Sequence, residues 1–272
     1  MNDAPPPLPV APDGTPALEA ARACARLARD IARAAAGRAP VSAVKGRGNV
    51  VTETDVAVER AVIEFLRERF PGHAILSEET AAATRSAGWM WVIDPIDGTK
   101  NFSRGLSHFA FTLALCFDDV PLLGLTTHPI TGLEVAAVAG SGCFVDGAPA
   151  RLRPCGSVAE AVLAMDLGYD AERARGQLAL ASRLWPGMQS LRIPGSAALG
   201  FAGLAAGWWD LYVHADLQPW DVAAGLVIVR EAGGVVVGPG AEPASLRSGA
   251  VIAGTPAAVA DLRRLAAAAP GA

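Results

Sequence analysis

Little in this chain of 272 residues invites a redox, zinc or membrane reading. Its four cysteines, Cys24, Cys116, Cys143 and Cys155, contain no C-x-x-C pair and no zinc spacing, so reduced thiols in a cytoplasmic protein are expected. Its four histidines contain no His-x-x-x-His pair, so a zinc centre is unsupported, and His108 and His128 read as structural. The net charge is only −4, which implies no pull toward nucleic acid or an anionic membrane. The longest apolar run, FAFTLALCF at 109–117, falls far short of the roughly 20 residues a spanning helix needs. The opening MNDAPPPLPVAPDGTP has neither the basic nor the apolar region of a secretory signal. Aromatics are scarce at 6%, yet 51% of the chain is apolar, which excludes disorder. The expectation is a soluble, cytoplasmic protein with no membrane and no nucleic-acid partner.

The length suffices for one large core or for two closely joined lobes. Residues 1–16 carry six prolines and read as a flexible, partly extended tail. An Ala-rich amphipathic helix is expected from Leu18 to Ala36, with Leu27 and Ile31 four apart. Lys45-Gly46-Arg47-Gly48-Asn49 suits a mobile lid over an anionic site or, equally, a plain surface loop. A second helix opens near Thr52 or Thr54 and buries Val58, Val62, Phe65 and Leu66. Ala74 to Leu76 is a short strand followed by Ser77-Glu78-Glu79. Beyond residue 109, hairpin-linked strands predict an antiparallel or mixed sheet, and later elements alternate strand and helix.

The most informative stretch is WVIDPIDGTKNF, Trp91 to Phe102. Its apolar start has the character of a buried strand. Pro95 cannot donate a ladder hydrogen bond and is expected to end that strand. Asp94 and Asp97 then fall at its C-terminal end and in the following turn. Gly98 lets the backbone approach a ligand closely, and Thr99 can start a helix. Carboxylates and a carbonyl are hard oxygen ligands suited to Mg²⁺, and N–H groups at a helix start suit a phosphate. A site offering both would hold a metal between protein and phosphate. Asp-x-x-Asp alone would be explained by a capped, solvated turn. The longer string D-P-I-D-G-T-x-N-F is far more specific.

That string resembles a signature of the inositol monophosphatase family, the lithium-sensitive, Mg²⁺-dependent sugar phosphatases. A second family signature, W-D-x-A-A-G followed by an acidic residue, Ala, Gly and Gly, is similar to Trp220-Asp221-Val222-Ala223-Ala224-Gly225 and Glu231-Ala232-Gly233-Gly234. The resemblance runs from about Leu18 to the C-terminus. It implies a layered α-β-α-β-α sandwich, with an N-terminal α+β lobe at 17–150 that carries the metal site. A C-terminal α/β lobe at 151–272 would complete the site. It also implies a homodimer and two or three Mg²⁺ ions, with Mn²⁺ as a substitute.

Residue by residue, the resemblance implies metal ligation by Glu78, Asp94, the backbone carbonyl of Ile96, Asp97 and Asp221. Asp55 and Thr99 would orient and deprotonate the attacking water, with Glu78 part of the catalytic set. The amides of Gly98 and Thr99 would hold the phosphate, and Gly195, Ser196 and Ala197 would border the substrate. Each has a blander explanation. Asp55 and Asp221 can serve as helix caps, Glu78 and Glu79 as a solvated loop, and Gly195-Ser196 as a helix start. Three departures stand out: Ser77 for a usual glycine, Lys100 for a common threonine, and His214 seven residues before Asp221. Family members active on inositol phosphate carry a glutamate at the last position. Histidine can also bond a hydroxyl, with a charge that depends on pH. A phosphatase of a small phosphorylated polyol or metabolite, inositol monophosphatase-like, is therefore implied. The alternatives are histidinol-phosphate phosphatase, fructose-1,6-bisphosphatase and 3′-phosphoadenosine 5′-phosphate phosphatase. From another class, a non-catalytic regulatory or binding protein on the same fold also remains.

Overall fold

The computed structural model describes residues 6–37, 41–44, 50–80 and 87–268. The loop expected as a lid, at 45–49, lies outside the described residues. The described part of the Pro-rich segment is packed rather than flexible. Ala11 is buried and its amide bonds Thr15 O at 2.9 Å, Val10 bridges to Pro16, and Leu8 packs on the core. Apolar side chains at Leu8 and Ala11 anchor what proline content alone read as a free tail.

The first helix, α1 (Ala17–Ala35), buries Ala17, Ala20, Ala21, Cys24, Ala28 and Ala32, a stripe at helical spacing. Of the expected pair, Ile31 is half-buried and packs on the core, whereas Leu27 is 37% exposed. Small side chains let α1 lie close to its neighbours, so alanine faces the core. An antiparallel pair, β1 (Val41–Val44) and β2 (Val50–Thr52), leads into α2 (Glu53–Arg69). Thr52 caps α2 through a reciprocal box with Asp55. Val58, Val62 and Leu66 are buried as expected, while Arg69 stacks over the half-exposed Phe65.

A seven-stranded sheet follows, in the order β3 (Ala74–Ser77), β4 (Trp89–Asp97), β5 (Ala110–Phe117), β6 (Val120–Thr127), β7 (Glu134–Val138), β8 (Gly142–Val145) and β9 (Ala148–Ala150). Only β3 and β4 run parallel. The short helix α3 (Thr99–Ser103) leaves the end of β4. Strand β5 is apolar on both faces because α1 and α2 cover one side and later helices the other. The strand expected from Ala159 begins at Val162, after a 3₁₀ turn at Val158–Glu160.

A second, five-stranded sheet is built from β10 (Val162–Asp166), β11 (Ser190–Arg192), β12 (Leu211–His214), β13 (Val235–Val237) and β14 (Val251–Gly254), in the order β11-β10-β12-β14-β13. Its helices are α4 (Ala171–Leu184), α5 (Ala197–Ala205), α6 (Pro219–Glu231) and α7 (Pro256–Ala267). Helix α6 is buried from Val222 to Val229, between the two sheets. That fit requires glycine: a Cβ on Gly225 would stand 2.3 Å from Phe201 Cγ, and one on Gly124 would stand 2.5 Å from Ala224 O. Helices α4 and α7 pack on the outer face of the second sheet. The layers are therefore α1/α2, large sheet, α5/α6, small sheet, α4/α7, as the resemblance implied. Among the described residues no helix is long and apolar enough to cross a membrane.

Candidate active site

The organising feature is the end of β4. The strand does not stop at Pro95 but runs to Asp97. Pairing with β3 ends at Ile93, so beyond it β4 has a free edge where the N–H that proline lacks is not required. On the other side Asp94 pairs Thr112 and Asp97 pairs Ala110, a register with one extra residue on β4. In a regular strand residues three apart point to opposite faces. The irregularity brings Asp94 and Asp97 to the same side.

Asp221 joins them from the first turn of α6. Oxygens of Asp94, Asp97 and Asp221 lie within 4.8 Å of one another. Asp94 and Asp97 are buried and Asp221 is half-buried. Burial, then the charges of Glu78, Asp97 and Asp221, hold the Asp94 carboxyl well above the usual range. Burial pushes Asp97 to about 6, against the pull of its hydrogen bonds. Asp221 is also raised well above the usual value, first by burial and then by Asp97. Asp94 Oδ1 is buried with no hydrogen-bond partner. An orphan oxygen among mutually repelling carboxylates fits a hard divalent cation, which would supply both the missing contact and the missing positive charge. Glu78 lines the same cavity and acts on Asp94 electrostatically, but stands outside the tight trio.

Asp55 is fully buried at the start of α2. Its Oδ2 accepts from the Thr52 amide at 2.9 Å and from the Thr52 hydroxyl. Its Oδ1 lies 3.0 Å from Thr99 Oγ1, which is also 2.9 Å from the Ile96 carbonyl. Burial raises the Asp55 carboxyl while the Thr52 and Thr99 bonds lower it, with burial prevailing. The sequence-expected pair of Asp55 and Thr99, 44 residues apart, is thus in direct contact. Gly98, at φ 90°, connects β4 to α3, where a Cβ would press within 3.0 Å of Gly195 O and His108 O.

Gly195, Ser196 and Ala197 line the cavity, but the donors of two of them are directed at Asp97. Ser196 Oγ donates to Asp97 Oδ2, the Ala198 amide to the same oxygen at 2.8 Å, and the Ala197 amide to Oδ1 at 3.2 Å. The start of α5 therefore orients a carboxylate, a task the sequence did not suggest. His214, at the end of β12, is buried and lines the cavity. Its Nδ1 accepts from the Asp216 amide at 3.0 Å, so Nε2 carries the proton. Burial pushes it down to about 4, so the expected pH-dependent charge is absent near neutrality.

Several residues of the site were missed. Asp166 is buried, its Oδ1 accepting from the Gly195 amide at 2.6 Å and Oδ2 from Tyr212 OH at 3.1 Å. Burial pushes it to about 7. Glu59, on α2, accepts at Oε1 from the Glu79 and Thr80 amides, both at 3.2 Å, and so holds the segment after Glu78. Lys100, Tyr169, Gln218 and Trp220 also line the cavity of about 530 Å³. A buried carboxylate in an otherwise amphipathic helix was the available signal for Glu59. Asp166 offered only its place after an apolar strand.

Three comparisons with known proteins agree with this geometry. The model of the inositol monophosphatase family matches residues 13–269. Inositol monophosphatase 3 of Solanum lycopersicum is 35% identical over 205 residues, 72% of this chain and 75% of the relative. The Nus factor SuhB of Haemophilus influenzae is 35% identical over 214 residues, 78% of this chain and 80% of the relative. Among solved structures, an IMPase of Thermotoga maritima superposes with a TM-score of 0.85 at 30% identity, covering 92% of this chain and 96% of its own.

Proposed function

The chain belongs to the inositol monophosphatase family, whose members are phosphate-monoester hydrolases, and on that premise we propose that it hydrolyses a small phosphorylated polyol or metabolite by direct attack of water. The observation that carries the reading is the trio Asp94, Asp97 and Asp221 within 4.8 Å, together with a buried, unpartnered oxygen on Asp94. Glu78, Asp94, the Ile96 carbonyl, Asp97 and Asp221 would hold Mg²⁺, with Mn²⁺ as a substitute. Two or three ions held there would supply positive charge to the phosphate and acidify water.

The remaining work falls to the chain's own side chains. Thr99 Oγ1 takes a proton from the attacking water as it passes its own to Asp55 Oδ1, 3.0 Å away. A carboxyl raised by burial is a better proton acceptor than an exposed one, which suits Asp55 to this role. The amides of Gly98 and Thr99 bind phosphate oxygens, and Glu78 helps orient the nucleophile. Gly195, Ser196 and Ala197 border the substrate, and Ser196 and Ala197 steady Asp97. His214, neutral and carrying its proton on Nε2, donates to a leaving-group hydroxyl in place of the glutamate of inositol-phosphate enzymes. That change leaves inositol 1-phosphate as the first candidate but not the sole one.

A cytoplasmic homodimer completes the proposal, supported by four buried free thiols and by the family resemblance. Sedimentation would test the dimer. The names of the SuhB relatives favour a second reading, a regulatory protein on this fold. The intact carboxylates weigh against loss of catalysis. Phosphate release with and without Mg²⁺ separates the two. The panel is inositol 1-phosphate, histidinol phosphate, fructose 1,6-bisphosphate and 3′-phosphoadenosine 5′-phosphate. Strong Mg²⁺-dependent turnover of one ester is expected, and release from none would sink the catalytic reading for this panel.

A further inference from the structure

The cavity is lined by Glu78, Asp94, Asp97, Asp166, Asp216 and Asp221, and among the described residues Lys100 is its one lysine or arginine. Lys100 starts beside Gly98 and Thr99, in the first turn of α3, yet its Nζ lies 4.5 Å from the centre of the Tyr169 ring, on the β10–α4 connection. The side chain thus crosses from the wall that carries the aspartates to the opposite wall. Lys100 is an exposed residue whose ammonium is only partly covered, enough to lower it from its ordinary value. No ion pair joins it to a carboxylate among the described residues. Its recorded partner is an aromatic face, which attracts a cation without neutralising it.

Tyr169 is not loosely placed. Its amide and that of Asp170 donate to Asp216 Oδ2 at 2.9 and 3.0 Å, and Arg173 donates to Asp216 Oδ1 at 3.3 Å. Gly168, at φ 65°, makes this closeness feasible, since a Cβ there would stand 2.4 Å from Asp216 Cβ. The Tyr169 side chain is 47% exposed at the cavity mouth, and its phenol is raised by partial burial and by the charges of Glu78, Asp97, Asp221 and Asp94.

We propose that Lys100 and Tyr169 form a subsite that takes an anionic substituent, a carboxylate or a second phosphate, on the leaving group of the substrate. This rests on the phosphatase reading above. An ammonium held on an aromatic face and joined to no carboxylate keeps its charge available to an anion. It gains little from a neutral hydroxyl and repels an amine. Esters that carry a second anionic group are therefore favoured over neutral polyol monophosphates and over cationic amino esters.

Fructose 1-phosphate and fructose 1,6-bisphosphate share one sugar and differ by one anionic group. Their kcat/KM values are compared for the Mg²⁺-loaded wild type, Lys100→Met and Tyr169→Leu. Their affinities are measured by calorimetry with Ca²⁺ in place of Mg²⁺. The preference for the bisphosphate is expected to fall about tenfold in Lys100→Met and about threefold in Tyr169→Leu, in turnover and in affinity alike. An unchanged preference, or an equal loss on both esters, overturns the subsite. So does a wild type that binds the bisphosphate no more tightly than the monophosphate. If both bind and neither is hydrolysed, the phosphatase reading fails for these esters and the affinity ratio alone decides the subsite.

Discussion

The cavity has two walls of different origin. One is nearly continuous in sequence: Asp94, Ile96, Asp97, Gly98 and Thr99 come from a single strand end, joined by Glu78 after β3, with the fully buried Asp55 behind them on Thr99. The other is gathered from β10, α5, β12 and the segment before α6, through Asp166, Tyr169, Gly195 to Ala197 and His214. The first wall concentrates negative charge and would handle metal and water. The second meets the leaving group. A contiguous wall can be held to one geometry by a single bulge and one turn. An assembled wall can change its side chains one at a time. The comparison therefore assigns turnover to the first wall, completed by Asp221 of α6, and selectivity to the second together with Lys100, which reaches it from the first.

The largest effect is expected at Asp94. Asp94→Asn should lower kcat by about 10³-fold, roughly 4 kcal/mol, measured as phosphate release in saturating Mg²⁺. The same variant should stabilise the metal-free protein. Asp94 is raised in the folded state, so its charged form costs stability above its folded value, and the cost fades as pH falls toward the unfolded carboxyl's range. The gain in Tm, about 2–4 °C per kcal/mol of relieved repulsion, should be largest near pH 8 and shrink at pH 5. A metal-free Tm below wild type at pH 8 would contradict the repulsion.

Thr99→Ala removes the hydroxyl that joins Asp55 to the Ile96 carbonyl. A loss of about 10²-fold in kcat with little change in KM is expected. Near-normal turnover would remove Thr99 from the proton path. Glu59 reaches the substrate only through the segment after Glu78, so Glu59→Gln should weaken Mg²⁺ about tenfold in activation titrations. Much of the turnover should return at high Mg²⁺. A purely structural role would instead lower Tm and leave the Mg²⁺ dependence alone.

An effect of similar size, confined to substrate binding, belongs to the second wall. His214→Ala should raise KM for the best substrate about tenfold, the value of one lost hydrogen bond, and leave Mg²⁺ affinity unchanged. Because burial holds His214 at about 4, KM should show no His214-dependent step between pH 6 and pH 8. A shift in Mg²⁺ affinity in this variant would erase the distinction between the walls.

The two walls were also unequally legible. The string from Asp94 to Thr99 announces oxygen ligands and a tight turn, and the sequence offers no Cys-x-x-Cys pair, no zinc spacing and no apolar run of membrane-helix length. The element order was readable from apolar periodicity, because buried faces must be apolar wherever they fall. Periodicity misjudged which apolar residues face inward on α1. Leu27 is bulkier than alanine, but close packing of α1 on its neighbours selects the alanines. Nor did proline content reveal that Ala11 is buried.

Sequence by itself determined the chemistry on offer: a chain with many carboxylates, few thiols and a glycine where the backbone must turn at φ 90°. Those follow from residue identity, which needs no partner to be read. Only the tertiary structure decided where the chemistry converges. The extra residue on β4 turns Asp94 and Asp97 to one side, α6 brings Asp221 to them, and α5 spends its first amides on Asp97. It also set Lys100 against Tyr169 across the cavity, a pairing 69 residues apart that no local pattern encodes. Side-chain identity is a local property, whereas distance between remote carboxylates and cations is set by how sheets and helices stack.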